Sequence, residues 1–246
     1  MPARYAALAA SLSIAVIAAP TLAIAQDTTP RAARTPSELE LRSSGTIAFM
    51  QSRPLGELGQ HIGFGYGVNG AYLVRLDRAG FLSLRADAGF AEYGSESKHV
   101  PLSPTIGGRI TVKLSTDNNV VPISIGPQLT WPRGKVRPYV HAGIGGQFFF
   151  TQSHVQGTSS DEEFASTTNQ SDFTGAWVTG GGIYVPLSEK RTKVLLDVGA
   201  QYYGGGRATY LRPGSIADVT NTQISISPLE SSTHMLLVRV GVKVGL

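Results

Sequence analysis

Apolar and polar side chains alternate with a period of two along most of this chain. In the final segment Leu236, Val238, Val240, Val242, Val244 and Leu246 share one parity, and Arg239, Gly241 and Lys243 the other. A helix would scatter those even positions around its circumference, whereas a strand sets them on one face of a sheet. Val140, Ala142, Ile144, Phe148 and Phe150 oppose Arg137, Tyr139, His141, Gly143, Gly145 and Gln147 in the same manner. Val194, Leu196, Val198, Ala200 and Tyr202 oppose Asp197, Gly199, Gln201 and Tyr203. Carried along the chain, the alternation predicts strands at Ser44–Gln51, Ile62–Leu76, Phe81–Gly94, Val120–Trp131, Lys135–Thr151, Phe173–Leu187, Lys193–Gly204 and Thr233–Leu246. Gly107–Ser115 fits a further strand extension or a loop hairpin between the third and fourth, and is read as loop structure.

The connections between these strands alternate in length. Asp77–Gly80, Pro132–Gly134 and Ser188–Thr192 are tight turns, while Ser52–His61, Ser95–Asn119, Gln152–Asp172 and Gly205–Ser232 are long. An up-and-down barrel threaded through a membrane predicts this rhythm, with short periplasmic turns and long loops outside. A Greek-key sandwich gives no reason for it. The expected fold is therefore all-β: an eight-stranded antiparallel up-and-down transmembrane β-barrel over residues 44–246, its first and last strands paired to leave no open edge.

The polar parity decides which face meets lipid. A soluble exterior would be rich in Lys and Glu. Here that parity carries Gly, Ser, Gln and Asn with one or two charges per strand, and charged residues make up only 15% of the whole chain, below the roughly 25% of ordinary soluble domains. Such a face suits a crowded lumen, where an unpaired charge is costly and opposite charges pair. Arg85, Asp87, Arg137, Asp197 and Arg239 are expected to form a lumenal charge network, with His141 a hydrogen-bonding residue beside it. Phe64, Tyr72, Phe90, Trp131, Phe148, Phe150, Trp177 and Tyr202 fall on the apolar parity, several near strand ends where aromatic girdles belong.

Residues 1–25 read as a secretory signal peptide: Arg4, an apolar run from Ala6 to Ala19, then Ala23-Ile24-Ala25. Residues 26–43 read as a flexible leader, with room for one helical turn at Pro36–Leu41. No later window holds 18 consecutive apolar residues, so no helical span is expected. The absence of cysteine excludes disulfides, thiolate metal sites and thiol nucleophiles. The net charge of +4 comes without a Lys/Arg cluster of the kind that binds nucleic acid, and no nucleic-acid partner is expected.

No motif for catalysis emerges. His61, His99, His141, His154 and His234 make no paired metal-ligand spacing. Ser153 and His154 are adjacent, which on a strand turns them to opposite faces. Ser160-Asp161-Glu162-Glu163 reads as a solvated acidic run, and the Gly180–Gly182 and Gly204–Gly206 runs lack the Lys-Ser/Thr of a phosphate loop. No catalytic residue, cofactor or metal is assigned.

Three ascending strands resemble one another: Arg85–Phe90, Tyr139–Ile144 and Leu195–Ala200, with Gly89, Gly143 and Gly199 recurring about every 55 residues. The segment Arg137-Pro138-Tyr139-Val140-His141-Ala142-Gly143-Ile144-Gly145-Gly146 resembles the ascending strand common in the bacterial outer membrane protein beta-barrel domain family, the small eight-stranded porin-like barrels. The resemblance covers about Ser44–Leu246. It implies residence in the bacterial outer membrane, with outer-membrane lipid and the barrel-assembly machinery as partners. Members usually end in an aromatic residue, whereas this chain ends Val244-Gly245-Leu246. The expected role is non-enzymatic: structural, or a surface interaction with an unknown extracellular ligand through the long loops. Three alternatives stand beside it: a narrow channel for small solutes, a lipid-modifying barrel enzyme, and a soluble periplasmic lipocalin-like barrel.

Overall fold

The computed structural model describes residues 43–101, 111–157, 163–188, 194–212, 215–220 and 223–245. The expected signal peptide and all but the last residue of the leader lie outside them, as do Ser160–Glu162 of the acidic run, most of the third turn and Leu246. In chain order the elements are β1 (Ser43–Pro54), α1 (Leu58–His61), β2 (Gly65–Arg75), β3 (Leu82–Pro101), β4 (Thr111–Thr130), β5 (Arg137–Gly157), β6 (Glu163–Ser188), β7 (Val194–Gly205), β8 (Arg207–Tyr210), β9 (Ile216–Thr220), β10 (Gln223–Ile226), β11 (Leu229–Ser232) and β12 (Met235–Gly245).

Eight of these strands close a barrel in the order β1-β12-β7-β6-β5-β4-β3-β2. Every ring neighbour is antiparallel, and the seam runs from Ser44 opposite Gly245 to Pro54 opposite Met235. The two described short turns show why the chain reverses there. Gly80 and Gly134 take φ of 80° and 99°, a region hostile to other residues. The Asp77 carboxylate accepts the Phe81 and Leu82 N–H groups at 3.1 and 2.9 Å, holding its own carboxyl below the usual range.

Strand length divides the ring in two. β1, β2, β7 and β12 have 12, 11, 12 and 11 residues, close to the 9–11 or so that cross a bilayer. β3, β4, β5 and β6 have 20, 20, 21 and 26, and continue well past their neighbours. The segments Ser95–Asn119 and Gln152–Asp172, expected as loops, are thus largely paired strand. Thr111–Ser115 of the presumed loop Gly107–Ser115 belongs to β4, opposite Ser97–Pro101. Val112 and Leu114 alternate with Thr111, Lys113 and Ser115, but most of the extension is Ser, Thr, Asn, Gln and charged residues and carries no sustained period of two. Side-chain bonds across the strands hold it: Ser95 Oγ to Asp117 Oδ1 at 2.6 Å, Thr116 to Ser153 at 2.9 Å, and Asn169 Nδ2 to Ser153 Oγ at 2.6 Å.

The fourth long connection is structured too. β8 pairs with β11, and β9 with β10. The first pair lies across the barrel mouth, where Gly206 donates its N–H to Gly175 O at 3.0 Å and Thr209 donates to Asp172 Oδ2 at 2.7 Å.

The faces divide as the parity requires. Ile47, Phe49, Val68, Tyr72, Ile125, Val140, Ile144, Trp177 and Val240 stand exposed on the outside, Ile144 at 72%. Aromatic pairs mark both ends of this apolar wall. Phe81 meets Trp131 edge-on at the turn end; Phe49 stacks on Tyr66, and Trp177 lies against Tyr202, at the loop end. Inside the mouth an apolar cluster gathers Met50, Tyr93, Val120, Phe149, Tyr203 and Leu237 from the ring, Leu58 from α1, and Ala208 and Tyr210 from β8.

Candidate functional site

The middle of the lumen holds the charged side chains. Arg85 and Asp87 are two residues apart on β3, so both point inward. Arg85 donates Nε to Asp87 Oδ2 at 2.7 Å and Nη2 to Oδ1 at 2.6 Å, the parallel fork of an arginine on a carboxylate. From β12, Arg239 donates Nη1 to Asp87 Oδ1 at 3.3 Å and Nη2 to the Tyr139 hydroxyl at 3.1 Å. Tyr139 in turn donates to Asp197 Oδ1 at 2.6 Å. Arg239 Nε lies 3.8 Å from Asp197 Oδ2, near enough for attraction but without a hydrogen bond. Asp197 is wholly buried and both arginines nearly so. Two cations against two anions leave the layer neutral, the condition under which buried charge is tolerable.

Amides and phenols complete it. Gln128 accepts from Arg85 Nη1 at 3.0 Å and donates Nε2 to Tyr184 Oη at 3.2 Å. Gln201 accepts from Arg239 Nη1 and donates to Tyr203 Oη at 3.1 Å and Ser124 Oγ at 3.2 Å. Tyr139 and Tyr184 stack with centroids 4.4 Å apart. The layer therefore ties β3, β4, β5, β6, β7 and β12 together across the lumen and fills it.

Of the residues expected in the network, Arg85, Asp87, Asp197 and Arg239 converge. Arg137 does not join them: it opens β5 at the turn end, and its Nε donates to Gly134 O at 3.4 Å. Starting its strand, it sits one inward position below Tyr139, and Tyr139 takes the place beside Asp197. His141 is buried beside Tyr139, ring centroids 6.2 Å apart, but neither of its nitrogens has a hydrogen-bond partner among the described residues. It borders a void of about 10 Å³ shared with Arg85, Asp87 and Ser124, room for at most one water. The expectation of a hydrogen-bonding histidine is thus corrected to one without a protein partner.

Sequence reasoning left out Tyr139, Tyr184, Gln128, Gln201 and Tyr203 as members. Their inward parity was the available signal, together with Gly199 of the repeated motif. A methyl group at Gly199 or Gly182 would collide with the Tyr139 hydroxyl, so both glycines make room for it to reach Asp197.

Above the mouth lies the second candidate region. β2 pairs with β3 only as far as Glu92, and β7 with β6 only as far as Ala176. Beyond those points β3 to β6 form a four-stranded sheet, and among the described residues no strand pairs with the outer edge of β3 over 93–101 or of β6 over 163–171. Here Ser153 bonds Thr116 and Asn169, while His154 Nε2 lies 3.9 Å from Asp117 Oδ2 on the other face. Ser95 donates to that same aspartate, so the carboxylate stands between hydroxyl and imidazole. No group of three metal-ligating side chains occurs among the described residues. At the rim, the Ser232 N–H donates to Glu57 Oε2 at 2.9 Å and holds that carboxyl below its ordinary range.

No helix among the described residues is long and apolar enough to cross a membrane. The ring closes without an open edge, its exterior is apolar with aromatic pairs at its ends, and Arg85, Asp87, Asp197 and Arg239 are buried inside it. The fold is a closed eight-stranded antiparallel β-barrel with an apolar outer wall.

No family model matches the chain, and no curated protein matches it in sequence. Among solved structures it is similar to Ail, the attachment invasion locus protein of Yersinia pestis, at 13% identity and TM-score 0.44, over 82% of this chain and 96% of that one. It is similar to Neisserial surface protein A at 12% identity and TM-score 0.41, over 83% and 97%. The N-terminal β-barrel domain of Pseudomonas aeruginosa OprF aligns at 15% identity and TM-score 0.36, over 82% and 97%.

Proposed function

We propose that this barrel is a non-enzymatic surface-interaction protein whose binding element is the sheet formed by β3 to β6 above the membrane. The observation that carries this reading is the pairing of these strands far beyond their ring neighbours, which leaves two strand edges with no strand paired to them among the described residues, on a hydrogen-bonded platform. Such an edge offers backbone donors and acceptors to an extended segment of a partner, and the Ser, Thr and Asn ladder holds it in place beforehand. The leader, the signal peptide at residues 1–25 and recognition by the barrel-assembly machinery belong to the same reading, as the route to the outer membrane.

The test compares bacteria displaying the full chain with bacteria displaying a variant whose hairpins are cut back at Ser95–Asp117 and Gln152–Ser171. Attachment to cultured cells is scored, with heat-modifiable migration as the check on ring closure. Attachment is expected to fall severalfold in the shortened variant. Equal attachment by both would overturn the proposal.

The channel reading fares worse, because the lumen is filled twice. The charged layer closes its middle and the Phe149–Tyr210 cluster its mouth. Purified protein in planar bilayers is expected to show no conductance steps.

A further inference from the structure

The turn end of the lumen, below the charged layer, is built differently from the rest. A cavity of about 120 Å³ opens there, lined by Arg75, Arg137 and Lys243 together with Ser83, Thr130 and Tyr184. None of the described residues that line it is acidic. Among the described residues the nearby carboxylates are already engaged: Asp77 accepts two backbone N–H groups, and Asp197 accepts from Tyr139 and faces Arg239. Lys243 Nζ sits 4.2 Å from the centre of the Tyr184 ring, a weak and partial compensation. Three cations thus converge on one polar recess, where like charges repel and lose hydration unless an anion joins them.

We infer that this recess is an anion-binding site for a phosphate group. The chemistry argues for that class. A single carboxylate would leave two of the three charges uncompensated, whereas a phosphate monoester brings nearly two negative charges and several acceptor oxygens. Arg75 and Arg137 supply planar forks, Lys243 a point charge, and Ser83, Thr130 and Tyr184 hydroxyl donors. The volume is several times what one water needs. Arg78, Arg133 and Lys135 stand exposed in the adjoining turns and extend the positive field outward to draw an anion in. The phosphate group could belong to a phosphorylated solute or to the headgroup of an anionic phospholipid in the facing leaflet.

The experiment uses purified full-length barrel in neutral detergent, titrated calorimetrically with glycerol 3-phosphate and inorganic phosphate at low salt. Native mass spectrometry in phosphatidylglycerol and phosphatidylcholine nanodiscs runs alongside. Lys243→Met and Arg75→Gln are each expected to weaken binding about tenfold, the effect of losing one charge-assisted contact. Arg133→Gln, in the exposed turn, should change it less than twofold. Heat-modifiable migration shows that each variant is folded, and either of the two site variants suffices if the other does not close its ring. Binding of the soluble phosphates that depends on Lys243 or Arg75 supports a solute site. Retention of phosphatidylglycerol with the same dependence, but not of the soluble phosphates, supports a headgroup site. No binding of either by the native chain, or binding that both site variants retain in full, overturns the inference.

Discussion

The lumen contains two layers that close it by opposite means. The middle layer is a neutral lattice of Arg85, Asp87, Asp197 and Arg239 braced by glutamines and tyrosines, all of it supplied by ring strands. The mouth layer is an apolar cluster, and part of it comes from outside the ring: Leu58 from α1, and Ala208 and Tyr210 from β8. Directional bonds hold the first, so it tolerates no missing member. Area and shape hold the second, so its losses are local. The ring and its cover are therefore separable in energy, although they share one interior.

Removing the carboxylate that both arginines use should cost most. Asp87→Ala leaves Arg85 and Arg239 buried without their shared partner, a loss of about 3–5 kcal/mol. It should appear as a clear fall in the temperature at which folded and unfolded gel migration exchange; an unchanged midpoint would break the assignment of ring stability to the middle layer. Phe149→Ala comes next. It strips the aromatic that packs against Tyr93 and Tyr210, with centroids 6.1 and 5.7 Å away, at a cost of about 3 kcal/mol. The expected signature is faster proteolysis between Gly205 and Ser232 with ring melting little moved. Equal loss in both readouts would merge the two layers into one unit.

The smallest effect is on pH. Glu57 is fully exposed, and the Ser232 N–H that it accepts holds its pKa below the ordinary value. A depressed acid stabilises the fold above its unfolded pKa and loses that contribution as pH falls through its folded value. Hydrogen-exchange protection at Ser232, corrected for intrinsic rate, should thus weaken on acidification below the usual carboxylate range, while Glu57→Gln shows no such dependence.

The ring and its orientation were readable because every wall residue faces either lipid or lumen, and a period of two encodes that choice directly. Arg85, Asp87, Asp197 and Arg239 were readable as charges on the inward parity. Tyr139 and Gln201 shared that parity, but hydrogen-bonding roles depend on which strand foot lies opposite, and register is not written in one strand alone. The same limit misplaced Arg137. Phe149 and Leu237 were hidden for a different reason: they are apolar residues on the parity that elsewhere carries charge, so the inward face changes character along its height. The extension of β3 to β6 was legible only at Thr111–Ser115, where Val112 and Leu114 alternate with polar residues; elsewhere its sequence is too uniformly polar to carry a period of two.

The seam between β1 and β12 joins the earliest ring strand to the latest, with Ser44 opposite Gly245. Until the chain's far end has been delivered, β1 has only one flank covered, and its other row of amides has nowhere to bond in oil. Closure must therefore be among the last steps of assembly and the slowest in search. Anything that holds those two segments near one another beforehand would hasten the maturation of the whole wall.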